Sequence, residues 1–190
     1  MVSTRTPTPG RSFELHYPLA DDWHHLRDIR LRAIANFPLA FLESFAVAHA
    51  LTEEDWRARG TRNELPTSYQ VVARTPADLW VGTMSAFISA GAPEYQPGST
   101  GTGQPRANVV GVWVDPTFRG LSTVAAVLLR SVRVWAAEKH QLTELFLHVH
   151  EANHRAIRFY QKSGARVTGE FMPDPRRPSE RQIEMVFGAL

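Results

Sequence analysis

Two strongly apolar runs, residues 109–114 and 145–149, each lead through a turn into a helical stretch, and this repetition constrains the chain more than any other feature. A strand that is apolar on both faces belongs at the centre of a sheet that is covered on both sides. Residues 120–140 supply one cover, with Val124, Val127, Leu128, Val132 and Trp135 recurring along a single helical stripe. Residues 153–163 supply another, and Gly164 follows at the position a helix C-cap favours. Strands alternating with helices predict an α/β (mixed α+β) fold with helices on the faces of a mixed sheet.

The first half adds the remaining elements. Residues 12–17 alternate Phe13, Leu15 and Tyr17 with polar neighbours, the period of a strand. Asp21 or Asp22 then caps a helix carrying Trp23, Leu26, Ile29, Ala33 and Ile34 at helical spacing, which Pro38 ends. Residues 37–45 read as an apolar connection. Thr52-Glu53-Glu54-Asp55 reads as a capping box opening a short second helix that Gly60 closes. Strands are predicted at 69–74 and 79–89, hinged on Thr75-Pro76-Ala77-Asp78. Two last strands, 166–171 and 182–187, are joined by the polar, Pro-bearing segment 173–180. The expected total is about seven strands and about four helices, after a flexible tail at 1–11 and within one domain spanning 12–190. Residues 91–107 hold four Gly and three Pro without apolar periodicity, and read as a disordered insert.

Charge and residue usage narrow the function. The formal net charge is +2, too small for a protein that binds nucleic acid through phosphate neutralisation. The chain has no cysteine, which excludes disulfides, thiolate metal sites and a Cys nucleophile. No run approaches the ~18 apolar residues of a membrane span, and the N-terminus shows no signal-peptide pattern. A cytoplasmic protein is the expectation.

Chemistry concentrates between residues 109 and 169. Val112-Trp113-Val114-Asp115-Pro116-Thr117-Phe118-Arg119-Gly120-Leu121 reads as strand, tight turn and helix start. Such a junction presents unpaired backbone N–H groups and the positive end of a helix dipole, a ready site for a pyrophosphate. Further on stand His148, His150, Asn153, Ala156, Phe159, Tyr160, Lys162 and Gly164. His148 and His150 share one strand face. Without a third ligand they read as structural or acid–base groups, and no metal is expected.

The second stretch, an apolar strand, an Asn and a helix carrying Ala-x-x-x-Tyr-x-Lys-x-Gly, resembles the second signature of the GNAT N-acetyltransferase superfamily. The turn after Val114 resembles that superfamily's acyl-CoA loop, and the element order agrees over 12–190 outside the insert. The resemblance implies acetyl-CoA as donor and a primary amine of a small molecule or peptide as acceptor, the amine attacking the thioester directly. Pantetheine would lie where the sheet splays between strands 4 and 5, beside Val112, Trp113 and Val114, with a backbone N–H near Gly111–Trp113 on the thioester carbonyl. Arg119, Gly120, Leu121, Ser122, Thr123 and Val124 would hold the pyrophosphate. Asn153 would hold the pantetheine amides or a water, with Ala156, Phe159 and Lys162 on the same helix. Tyr160 would protonate the leaving thiolate. Relatives often pair as homodimers through their last strands.

The sequence departs from that pattern in two places. The usual Arg/Gln-x-x-Gly-x-Gly/Ala has Ser122 and Val124 at its small positions, which adds side chains where backbone approaches phosphate. Some members carry a Glu on the strand before the loop, where this chain has Asn108. His148, His150 and Glu43 are the candidates for the base. The altered loop also fits a non-catalytic acyl-CoA-binding domain acting through a protein partner, or an enzyme using another acyl-CoA. Trp113 is expected to face the acceptor channel by strand alternation.

Overall fold

The computed structural model describes residues 12–89, 104–120 and 123–188. Among them, strands β1 (Glu14–His16), β2 (Ser68–Arg74), β3 (Trp80–Ser89) and β4 (Arg106–Val114) pair antiparallel in chain order. Strand β5 (Leu145–His150) joins β4 in parallel, and β7 (Arg177–Phe187) inserts between β5 and the edge strand β6 (Ala165–Asp174). The sheet is the expected mixed, mostly antiparallel one of seven strands, in the order β1-β2-β3-β4-β5-β7-β6.

The described residues form five α-helices, against about four expected. They are α1 (Trp23–Asn36), α2 (Phe45–Ala50), α3 (Glu53–Thr61), α4 (Thr123–His140) and α5 (His154–Lys162). The added helix, α2, starts where the sequence reads as plain connection. Ser44 caps it by accepting the Val47 N–H at 3.2 Å. The Thr52 capping box is formed, with Asp55 reciprocating onto the Thr52 N–H. Gly60 does not close α3 but lies inside it. A Cβ there would fall 2.5 Å from the Leu19 carbonyl oxygen, so glycine lets the chain before α1 press onto the helix. The segment 173–180 is likewise no long loop: β6 and β7 run on through it to a tight hairpin at Asp174 and Arg177. Most of the expected insert, residues 90–103, and the tail at 1–11 lie outside the described residues.

Two apolar layers sandwich the sheet. Val124, Leu128 and Val132 of α4 and Tyr160 of α5 pack with Val71, Met84, Val109, Leu147 and Met185 on one face. On the other, Leu26, Ile29 and Ile34 of α1 and Trp56 of α3 pack with Val72, Trp80 and Trp113. Each fully buried Ile or Leu contributes ~1.5–3 kcal/mol.

Val124, unexpected by the family pattern, turns inward and is accommodated by a missing side chain opposite. A Cβ on Gly82 of β3 would stand 2.7 Å from Val124 Cγ1 and 3.1 Å from Leu128 Cδ1. Because valine is stiff at χ1, it cannot yield easily. Gly82→Ala is therefore expected to destabilise by ~1–3 kcal/mol, measured by urea unfolding. Adding Val124→Ala should relieve part of that loss; an unchanged unfolding midpoint for Gly82→Ala alone would refute the packing argument.

Two irregularities shape the centre of the sheet. In β4, Thr83 pairs with Trp113 but Ser85 pairs with Val110, which leaves Gly111 and Val112 opposite Met84 alone. Gly111 sits in the left-handed region at φ 62°, the conformation glycine allows at a bulge. The extra residue reverses the alternation, so Ala107 and Val109 face α4 whereas Trp113 faces α1. Between β4 and β5 the ladder has three rungs, ending at Val109–Leu147. Beyond that rung β4 stays with β3 and β5 with β7, and the two strands part.

Candidate active site

The split opens onto a cavity of about 640 Å³ under α1, α3 and the connection at residues 40–43. One lip is the β4 bulge at Val110 and Gly111. The other is His148, the first β5 residue past the last rung. Leu26, Ile29, Phe41 and Leu42 form an apolar wall, and Asn108, Gln182 and Thr83 line the sheet side.

His148 is largely buried. Its Nε2 lies 3.8 Å from Glu184 Oε2, and Glu184 accepts a 2.7 Å bond from Arg106 Nη2. Burial pushes the His148 imidazole below its ordinary pKa, Glu184 pulls it up, and Arg106 adds to the lowering. The ring is therefore neutral at pH 7 and able to accept a proton. Asn108, where relatives carry a Glu, donates to Ser89 Oγ at 2.9 Å and to the Arg106 carbonyl at 3.1 Å.

His150 is placed differently. It is buried next to the β6–β7 hairpin and does not itself line the cavity, although its cross-strand partner Gln182 does. Its Nδ1 accepts the Ala152 N–H at 3.1 Å, so the proton sits on Nε2 and is donated to Glu180 at 2.6 Å. Both ring nitrogens are thus engaged.

Glu43 lines the cavity, but its carboxylate is shared by two arginines. Arg30 Nε donates at 3.0 Å, and Arg59 donates from Nη1 at 3.1 Å and from Nη2 at 2.6 Å. Although burial alone would raise its pKa, these guanidinium groups hold it below the usual carboxylate range. That arrangement makes a poor base. Arg30 rests over the Phe41 ring at 4.6 Å and Arg59 over the Trp56 ring at 4.5 Å.

Tyr160 lies in the opposite layer, beneath the sheet, its ring edge-on to Phe187 at 6.2 Å. Burial pushes its phenol far above the ordinary value. Asn153 caps α5 by accepting the Ala156 N–H at 3.3 Å. Ala156 and Phe159 pack on the core, and Lys162 ends the helix exposed.

Val112 and Val114 pack toward α4 beyond the bulge. Trp113, expected at the acceptor channel, instead sits in the core under α1 with its Nε1 donating to Asn36 Oδ1 at 3.3 Å. The bulge turns it to the α1 face, the cavity's own side, but it is buried there beyond the lining residues. Asn36 Oδ1 also accepts from Arg119 Nη2, while Arg119 Nε donates to the Val114 carbonyl at 2.7 Å. Gly120 follows at φ 80°, with nothing within 4 Å of a Cβ built on it. Leu121 and Ser122 lie outside the described residues, and Thr123 opens α4. Val124 faces the core.

Arg155 has no counterpart in the sequence-based list. Burial lowers the Arg119 pKa first, and the charge of Arg155 lowers it further, so the cation that precedes α4 feels the one in the first turn of α5. His154 and Arg155 occupy the first turn of α5, which carries no acidic residue. Cations at a helix N-terminus are unfavourable unless an anion joins them. This reversed charge was the available sequence signal. Among the described residues no group of three or more His, Asp or Glu side chains is arranged to hold a metal, and no helix is long and apolar enough to cross a membrane.

The family model described as "Acetyltransferase (GNAT) family" matches residues 30–165. Among solved structures, a GNAT-family acetyltransferase from Streptococcus pneumoniae superposes with a TM-score of 0.72 at 15% identity, covering 94% of this chain and all of its own. The protein yncA from Salmonella typhimurium, solved with acetyl-CoA, gives a TM-score of 0.68 at 14% identity over 93% of this chain and 94% of its own. Spermidine N-acetyltransferase from Vibrio cholerae, solved with CoA and spermine, gives 0.66 at 12% identity over 93% and 95%. At these identities the likeness is one of fold. No curated protein matches the chain by sequence.

Proposed function

The chain belongs to the GNAT acetyltransferase family, and from that premise we propose that it moves an acetyl group from acetyl-CoA directly to a primary amine. The observation that carries this reading is the split sheet: β4 and β5 part after Val109–Leu147, with the Gly111 bulge on one lip and His148 on the other, above a half-open cavity. Complexes of yncA with acetyl-CoA and of the Vibrio cholerae enzyme with CoA and spermine support a CoA thioester as donor and an amine as acceptor.

Each residue then has a task. His148 takes the proton as the amine nitrogen bonds to the thioester carbonyl carbon. A backbone N–H at the bulge donates to the oxygen, where negative charge develops. As the C–S bond breaks, Tyr160 gives its proton to the leaving thiolate, and the products are an amide and free thiol. Arg119, Gly120 and Arg155 hold the pyrophosphate where α4 and α5 begin. Val112 and Val114 border the pantetheine, and Asn153 fixes the start of α5 beside it. A cytoplasmic enzyme suits this chemistry. Val167 and Phe171, exposed on edge strand β6, support a homodimer.

Calorimetric titration with acetyl-CoA tests the reading. Binding near micromolar is expected, weakened about tenfold in Arg155→Ala by loss of a charge-assisted contact. Release of free thiol on adding amines completes the test. If no CoA species binds, the reading fails, and a domain acting through a protein partner takes its place.

A further inference from the structure

We propose that the acceptor amine carries its own anionic group, a carboxylate or phosphonate, recognised by the arginines at the end of α3. The proposal rests on the acetyltransferase reading and names the class of its acceptor.

The charge lining the cavity carries the argument. Among the described residues that line it stand three guanidinium groups, Arg30, Arg59 and Arg62, against one carboxylate, Glu43. Both oxygens of that carboxylate are taken by Arg30 and Arg59, so Glu43 offers little to a substrate ammonium. His148 is held neutral and adds no negative charge. The lining is therefore net positive, in a half-open recess at which Arg62 stands exposed to an incoming anion. A diamine or polyamine would bring a second cation into that field. An amine with a carboxylate or phosphonate brings the compensating charge instead.

Geometry gives the anion a place. Arg59 and Arg62 lie three residues apart across the end of α3, on one side of the helix. Arg59 is held over the Trp56 ring and anchored by Glu43, which preorganises the cluster. Arg62 forms no ion pair with any described residue. Leu26, Ile29 and Leu42 supply apolar wall for a short hydrocarbon body. The same positive field favours the neutral form of the acceptor's ammonium, which eases the proton's passage to His148.

Matched pairs differing only in the anion test this: phenylalanine against phenethylamine, leucine against isopentylamine, and 2-aminoethylphosphonate against ethylamine. Thiol release from acetyl-CoA is followed for each, and binding of each to CoA-saturated protein is followed by calorimetry. The anionic member is expected to lead by on the order of tenfold in kcat/KM and in affinity. Arg62→Gln should narrow that lead severalfold, Arg62→Lys should keep most of it, and Arg62→Glu should reverse it. An equal or greater response to the charge-free amines, no binding of either member, or an undiminished lead in Arg62→Gln overturns the inference. Turnover of amines without this preference leaves the acetyltransferase reading intact, whereas failure of acetyl-CoA itself to bind defeats that reading first.

Discussion

Replacing His148 with alanine is expected to lower kcat by about 10²–10⁴-fold, the usual contribution of a positioned general base, while acetyl-CoA affinity stays near that of the parent protein. Four facts converge on this side chain. It is the first β5 residue past the last rung with β4, it lines the cavity, and it stands across the gap from the Gly111 bulge. Burial also lowers its pKa below the ordinary imidazole value of 6.5, against the opposing pull of Glu184. The pH profile gives the second readout. The base form exists above the folded pKa, so kcat/KM should hold through neutrality and fall only as pH drops below 6.5. His148→Gln should abolish that acidic limb. Equal turnover in parent and variant across pH 5–8 would remove His148 from the mechanism. His150→Gln is the matched control, because His150 is already bonded to Ala152 and Glu180. It is expected to cost stability far more than turnover.

The contrast between these two histidines marks where the sequence stops being informative. Period-two alternation puts both on one strand face, and nothing local tells which one opens onto a cavity. That depends on where the β4–β5 ladder ends and where the β6–β7 hairpin folds over, both of them long-range facts. Trp113 teaches the same lesson. Alternation counted from Ala107 and Val109 would put it on the α4 face; the extra residue at Gly111 turns it to the α1 face, where it is buried in the core and does not line the cavity. A lone glycine in an apolar strand was the available hint of a bulge. By contrast the sheet, the α4 stripe and the Thr52 capping box were legible, since each follows from local period or capping chemistry. The extra helix α2 was not. Its six residues lack a full amphipathic repeat, and Ser44 alone announces it. Val124 was legible as a departure from the family pattern, but its meaning needed Gly82, more than forty residues away and opposite it in space.

Tyr160→Phe is expected to lower kcat by about 10²-fold or more with no loss of folding stability. The two readouts pull apart for a physical reason. Tyr160 is packed among apolar side chains, and no described residue hydrogen-bonds its hydroxyl. The hydroxyl is nevertheless not among the buried polar atoms left without a partner, so phenylalanine should hold this position about equally well. A purely structural role would thus leave Tm and turnover both unchanged. A proton donor requires the hydroxyl. Burial also keeps the phenol protonated far into the alkaline range, so the proton is in place when the C–S bond breaks. The decisive result is therefore a pair of numbers from one variant: kcat in the thiol-release assay and Tm in thermal unfolding. A large fall in kcat at constant or raised Tm assigns the proton to Tyr160. Full turnover at constant Tm assigns the leaving group's proton to solvent.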